Sequence, residues 1–385
     1  MKKHILLCAA LALSSFGLPS CSDILDQKPL DSYTDTAVWG DLSLAESFLN
    51  YCYLRVEAEN TNGVMFCNYT DETYHMHDYG TSTYTQGRAS CDNYNTGWTE
   101  GKGNTWSHYY GGIKLCNQLL EDIMDTPANT DSEKEWKNQI IGQGYFLRAY
   151  YYHMLYSVYG RIPLIDHTYD LDSEFKEERA DMDDVADFIV ADCDKAAELL
   201  PTVYKDASDF GRAPKGAALA LKGRELLYKA SPLFGTPSRE KWQAAADANK
   251  AVIDMNIYSL KQVSNSDEYA DLFFDSKNPE VIFEKLYDEK GIAGSSASLV
   301  MQAPAGPGNG YEGWSTWQPT YEIVELFQNA DGTPYKPAET KPFTILQTTI
   351  DPDSGEATQK EVTIQASDVN PWEGREIRLK ANILY

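Results

Sequence analysis

The chain has 385 residues, enough for one large domain or two ordinary ones around a substantial core. Hydrophobic residues make up 42% and charged residues 24%, a globular balance, while the net charge of −25 repels phosphate backbones and excludes a basic patch as a route to nucleic acid or to a membrane surface. Tyrosine is frequent, 26 residues beside 8 tryptophans, which suits a partner that offers both apolar faces and hydroxyls.

The first twenty residues read as an export signal: Lys2 and Lys3, then an apolar run from Ile5 to Leu18 too short to span a bilayer. The run ends in Leu18-Pro19-Ser20-Cys21, the pattern of a bacterial lipobox, which makes Cys21 the expected lipidated N-terminus and anchor. Seven cysteines are present. Cys8 leaves with the signal and Cys21 is used by lipid, leaving Cys52, Cys67, Cys91, Cys116 and Cys193. Their spacing is no disulfide framework, so they read mostly as small buried apolar residues. One disulfide is allowed in an oxidising compartment, and the spacing does not choose it.

Helices dominate the next stretch. Ser43-x-x-Glu46 predicts a capping box before Leu44, Phe48, Leu49 and Cys52. From about 60 to 105 helical period is lost in a long segment rich in Tyr, Gly, Asn, Asp and Thr, the kind of excursion that carries function. Period returns at Trp106, Tyr109, Ile113, Cys116, Leu120 and Ile123. Ser132-x-x-Glu135 predicts the cap of a long helix through Trp136, Ile140, Gly144, Leu147, Tyr151, Leu155 and Val158, stopped by Gly160 and Pro163. A third helix carries Val185, Ile189, Cys193, Ala196 and Leu200. Ala217 to Ala230 is apolar nearly all round and predicts a buried helix, and Trp242, Ala245, Asn249 and Val252 mark another. Such pairs predict a mostly α fold of tetratricopeptide-like repeats, degenerate because no strict 34-residue self-similarity exists.

Past about residue 275 the character changes to a small β-containing part. Gly291 to Gly313 is a Gly/Ser/Pro-rich loop, Tyr321 to Phe327 a short helix, and Phe343–Ile350 and Lys360–Ile364 a hairpin turning at Asp351-Pro352-Asp353-Ser354-Gly355. Leu379 to Tyr385 reads as an unfinished strand.

Several stretches resemble the SusD/RagB family of outer-membrane nutrient-binding lipoproteins. They are Leu18-Pro19-Ser20-Cys21 with Asp23 and Leu25-Asp26; Gly144-Tyr145-Phe146-Leu147-Arg148-Ala149-Tyr150-Tyr151-Tyr152 with Tyr159-Gly160-Arg161-Ile162-Pro163-Leu164; and Gly211-Arg212-Ala213-Pro214-Lys215-Gly216 running into Gly223. Weaker matches are Trp317-x-Pro319-Thr320-x-Glu322 through Phe327, and Asn370-Pro371-Trp372-x-x-Arg375-x-x-Arg378-Leu379. The ordered set implies three parts: a signal over 1–20, an N-terminal helical region over 21–274 containing the loop, and a C-terminal region over 275–385. In the family a sizeable segment follows the last match, so this region is read as incomplete. The resemblance also implies a lipoprotein anchored in the outer membrane and facing outward. It would capture oligosaccharide or polysaccharide and hand it to a SusC-like TonB-dependent transporter barrel.

A sugar ring offers C–H groups on a face and hydroxyls at its rim, matched by an exposed ring beside Asp, Asn or Arg. Two segments fit. The first holds Asp71, Glu72, Tyr74, Tyr79, Tyr84, Arg88, Asn93, Tyr94 and Trp98, and the second Tyr311 and Trp314. Asp71, Tyr79, Tyr84, Arg88, Trp98, Tyr311 and Trp314 are the candidate glycan contacts, with Trp98 and Trp314 as platforms. The bland alternative has these rings pinning loops to the body, and it is the expected reading for Trp106, Trp136, Trp242 and Trp317.

No metal, cofactor or catalytic residue is expected. His75-Met76-His77-Asp78 lacks zinc spacing, and Asp351-x-Asp353 lacks the later calcium ligands. Gly306-Pro307-Gly308-Asn309-Gly310 lacks a Gly-Lys-Ser/Thr ending, and no Gly-x-Ser-x-Gly elbow occurs. The competing readings are a surface glycoside hydrolase, which needs a placed carboxylate pair, and a helical-repeat scaffold for protein or peptide.

Overall fold

The computed structural model describes residues 35–56, 60–61, 64–65, 67, 70–75, 84–88, 90, 105–170, 172–286, 317–337, 341–350, 357–366 and 370–383. A short helix α1 (Asp35–Val38) leads into α2 (Leu42–Tyr53). The cap of α2 is Asp41, not the expected Ser43. The Asp41 carboxylate accepts the backbone N–H groups of Ser43 at 2.7 Å and Leu44 at 3.4 Å. Leu42, Ala45, Leu49 and Cys52 are its buried face. Three short strands, β1 (Asn60–Thr61), β2 (Val64–Met65) and β3 (Thr73–His75), lie in the excursion that follows.

Five helices then stack in chain order: α3 (Thr105–Asp122), α4 (Asp131–Tyr159), α5 (Met182–Leu199), α6 (Lys215–Ala230) and α7 (Arg239–Asp254). Each packs on the next, and α2 lies against both α3 and α4. The fold is mostly α and tetratricopeptide-like, as the periodicity predicts.

The 29-residue α4 is the spine, about 44 Å long at 1.5 Å per residue. Its capping box is Thr130 with Glu133, two residues earlier than the expected Ser132 and Glu135. Glu133 accepts the backbone N–H groups of Thr130 at 2.8 Å and Asn129 at 2.7 Å, so two orphan donors are satisfied by one carboxylate. Gly160 ends the helix at φ 65°, a conformation that glycine adopts without strain. Leu147, Tyr151, Tyr152, Leu155 and Tyr156 are fully buried along it. Gly112 on α3 makes room for one of these rings, because a Cβ there would meet the Tyr151 ring at 2.7 Å.

One buried charge network fixes the stack. The Arg148 guanidinium on α4 donates to both carboxylate oxygens of Asp192 on α5, at 2.7 and 2.8 Å, and to the Asn117 side-chain oxygen on α3 at 2.9 Å. The Asn117 amide in turn donates to the carbonyls of Ile165 and His167, both at 3.0 Å. A second buried pair, His153 Nδ1 with Glu225 Oε2 at 2.8 Å, joins α4 to α6, and burial pushes the Glu225 carboxyl above the usual range.

Two helices are less buried than the sequence predicts. Leu227 on α6 is exposed, because only α5 and α7 flank that helix closely and the apolar surround of Ala217–Ala230 includes a solvent side. Trp242, expected in the body, is 44% exposed, and Ala245 is the buried residue of α7. Trp136 is half-buried and donates its indole N–H to Glu46 at 3.1 Å.

The remaining elements are α8 (Ser266–Asp271), β4 (Trp317–Pro319), α9 (Tyr321–Leu326), the hairpin β5 (Lys341–Ile350) with β6 (Ala357–Ala366), and α10 (Ile377–Asn382). The hairpin is in continuous antiparallel register from Lys341↔Ala366 to Ile350↔Ala357. The expected terminal strand is instead helix α10. Leu379 is fully buried there and α8 packs against it, so tertiary burial overrides a short alternating pattern. Among the described residues no helix is long and apolar enough to cross a membrane.

Candidate functional site

The first candidate loop meets the stretch that follows the second candidate loop in the sequence. β3 pairs antiparallel with β4, with Thr73 opposite Pro319, Tyr74 opposite Gln318 and His75 opposite Trp317. Thr320 extends the ladder, its N–H donating to the Glu72 carbonyl at 2.9 Å and its hydroxyl to the Asp71 carbonyl. The same hydroxyl accepts the Ile323 N–H at 3.3 Å and so caps α9. One threonine thus ties the first loop, the end of β4 and the start of α9 at a single point.

Asp71 and Glu72 are held by a local turn. The Thr70 hydroxyl donates to the Cys67 carbonyl at 2.8 Å and accepts the Glu72 N–H at 3.1 Å. With their backbones fixed there, both carboxylates face solvent, and Tyr74 is 60% exposed beside them. Tyr84 is half-buried, and Arg88 is exposed with its Nε donating to Gln86 at 2.9 Å. Tyr79, Asn93, Tyr94, Trp98, Tyr311 and Trp314 lie outside the described residues, as does Cys21.

The C-terminal anchor of this crossing is Arg375. It is buried and donates to the carbonyls of Val324 and Phe327, both at 2.6 Å, and of Pro371 at 2.9 Å. Its guanidinium also covers the Tyr335 ring, 3.6 Å from the centroid. These bonds satisfy the open end of α9. They also explain why the Trp317–Phe327 and Asn370–Leu379 stretches belong together: the arginine of one closes the helix of the other.

Where α3 begins, sequence reasoning missed a cleft of about 360 Å³ lined by Trp106, Tyr110, Lys114, Thr168, Tyr169 and Phe175, among others. Trp106, expected as simple packing, does pack edge-on to Tyr159 at 5.1 Å, yet it also lines this cleft. Phe175 is 58% exposed. Burial, and behind it the Glu177 carboxylate, push the Tyr169 phenol up to about 12. The available signal was the ring-rich run His167-Thr168-Tyr169 with Phe175 in a segment without helical period. A larger cleft of about 440 Å³ lies between the 202–214 and 276–284 segments, where Lys277 covers the Phe210 ring at 5.4 Å. Among the described residues no group of His, Cys, Asp and Glu is arranged to hold a metal ion.

A family model described as "Starch-binding associating with outer membrane" matches residues 23–227, and one described as "SusD family" matches residues 279–385. SusD-like protein P38 of Formosa agariphila is 23% identical over 342 residues, covering 83% of this chain and 61% of that protein. A SusD-like protein from Bacteroides fragilis superposes with a TM-score of 0.69 at 24% identity, covering 92% of this chain and 63% of the other. A SusD-like carbohydrate binding protein of the same organism gives a TM-score of 0.61 at 23% identity, covering 78% and 55%. The chain therefore spans less than two thirds of the length of these relatives. With over half of its residues matched by one family model in the expected order, the chain belongs to the SusD/RagB family.

Proposed function

We propose that this chain is a glycan-binding lipoprotein of the cell surface. In this reading Cys21 anchors it in the outer membrane, and the two loops capture oligosaccharide for delivery to a TonB-dependent barrel. Binding, not turnover, is its role. The observation that carries the reading is the β3–β4 crossing. It joins two segments distant in sequence that both hold rings and hydroxyl-matching side chains, and it leaves Asp71 and Tyr74 facing solvent. Trp314 stands three residues before β4 in the sequence, and Trp98 lies between β3 and α3. Stacking on each such ring would contribute about 0.5–1.5 kcal/mol beyond buried area, which favours several weak, additive contacts. A carbohydrate-binding relative with the same fold supports the ligand class. The same reading keeps two regions, 21–274 and 275–385, with the site at their junction.

Affinity electrophoresis of the soluble mature chain against a panel of polysaccharides tests the proposal. The wild type should be retarded by at least one glycan, and Trp98→Ala with Trp314→Ala should abolish retardation while circular dichroism stays unchanged. Equal retardation of both variants rejects these platforms. Hydrolysis of a retarded oligosaccharide would favour the glycosidase instead, and capture of peptide without glycan would favour the scaffold. Loss of the Cys21→Ser protein from the membrane fraction tests the anchor.

A further inference from the structure

The cleft of about 360 Å³ at the start of α3 is separate from the β3–β4 crossing: among the described residues, none from either strand lines it. Its two walls are held by hydrogen bonds. One wall is α3, where the Trp106 and Tyr110 rings lie 4.8 Å apart and the Tyr110 hydroxyl donates to the Pro163 carbonyl at 2.8 Å. The other is the segment between α4 and α5. Pro163 is bridged antiparallel to Arg179 at the base of that segment, and the buried Asn117 amide holds the carbonyls of Ile165 and His167, both at 3.0 Å. Farther along, Glu121 on α3 accepts the Thr168 N–H at 2.8 Å and the Thr168 hydroxyl at 2.6 Å. Tyr169 and the exposed Phe175 complete this wall, their ring centroids 6.0 Å apart. Four rings therefore surround one opening on a fixed frame.

The charge lining the opening has one sign. Lys114 is the only Lys, Arg, Asp or Glu among the described residues that line it. It stands four residues after Tyr110, hence on the same face of α3, and is exposed. Other lysines of the stack are matched by acids: Lys222 by Asp194, Lys229 by Asp187 and Lys241 by Asp183. Lys114 has no such partner among the described residues. The nearest acids in sequence on the facing segment and on α3 are engaged elsewhere, Asp166 with His167 at 3.1 Å and Glu121 with Thr168. An unmatched ammonium at the edge of a ring-lined cleft, in a chain with 58 acids and 33 bases, fits a ligand that brings its own carboxylate.

We propose that this cleft takes a hexuronate unit of an acidic oligosaccharide, with the C–H face of the sugar on the rings and its carboxylate on the Lys114 ammonium. The inference rests on the glycan reading above and adds to it a second contact site and a preference for acid. The volume is at the small end of ligand sites, which suits a short stretch of a chain and not a long one. The net charge of −25 opposes an anion mainly at long range, because salt screens charges beyond about 8 Å. The rings supply most of the affinity, and the exposed lysine supplies the selectivity.

The test is calorimetric titration of the full mature chain, made soluble by Cys21→Ser, with oligomers of galacturonate, mannuronate and glucuronate. Each is compared with the same oligomer after reduction of its carboxylates to primary alcohols. At least one acidic oligomer should bind, about 2–5-fold tighter than its reduced form, and that preference should persist in the Trp98→Ala/Trp314→Ala protein. Lys114→Gln, on an exposed face, should leave melting unchanged and bind both forms equally. Phe175→Ala, an exposed ring outside any helix, should weaken both forms about 3–10-fold. An acid preference that survives Lys114→Gln, or affinity unchanged by Phe175→Ala, overturns the site. So does binding lost in the Trp98→Ala/Trp314→Ala protein, which assigns the ligand to the loops. If no acidic oligomer binds while a neutral polysaccharide still retards the protein in affinity electrophoresis, this cleft is refuted and the glycan reading stands. If nothing in either experiment binds, both fall.

Discussion

The helical stack and the β3–β4 crossing hold their surroundings by different means. In the stack, a guanidinium, a carboxylate and an amide satisfy one another away from water, and three helices plus the 164–168 segment hang on them. At the crossing, few side chains are buried, and position is set by backbone ladder bonds and one threonine. The first arrangement makes stability. The second spends little on stability and leaves side chains open to a ligand. Removing one partner from a buried network costs much more than removing one exposed hydrogen bond. The two regions should therefore fail differently.

Arg148→Ala gives the largest effect. It strands the Asp192 carboxylate in the core and should cost about 3–5 kcal/mol in urea unfolding, or prevent folding. The Arg148→Met/Asp192→Leu double variant should recover most of that loss. A single variant as stable as wild type would show that the network does not hold the stack.

Two threonine caps sharpen the comparison. Thr130→Ala removes a capping box from the spine and should lower global stability by about 1 kcal/mol. Thr320→Ala removes a cap from six-residue α9 and the tie to Asp71, and should move global unfolding by less than about 0.5 kcal/mol. Its signature is local: faster protease cutting between residues 60 and 104 and weaker glycan retardation. If Thr320→Ala unfolded the whole protein, the crossing would be part of the core.

The smallest effect is in acid. The backbone N–H groups of Thr130 and then Asn129 hold the Glu133 carboxyl below its ordinary 4.5. A lowered folded pKa contributes stability that is present above the unfolded value and lost as pH falls through the folded one. The wild type should therefore lose more stability than Glu133→Gln on acidification from pH 4.5 downward, measured by melting at each pH. Parallel curves would show that the carboxylate makes no net contribution to the cap.

Much of the stack was legible, because each of its helices buries one face at steps of three and four: Tyr109, Ile113 and Cys116 on α3, and Val185, Ile189, Cys193 and Ala196 on α5. The caps were less so. Ser/Thr-x-x-Glu patterns recur in an acidic chain, and which register is used depends on where the preceding turn ends, as Asp41 and Thr130 show. At the site, composition pointed to both loops, but only Asp71, Tyr84 and Arg88 of the expected contacts fall among the described residues. The cleft at Trp106 was missed because a ring on a helix reads as packing until its neighbours are known.

By itself the sequence determined the helical repeats, the hairpin, and the acidic, ring-rich character of the loops. These follow from local period, local turn chemistry and composition. Tertiary structure decided that Asp71 meets Thr320, that Arg375 closes α9, and that Arg148 finds Asp192. Those contacts join residues far apart in the chain, and no local spacing encodes them. They arise only when burying the apolar faces brings distant polar groups within reach.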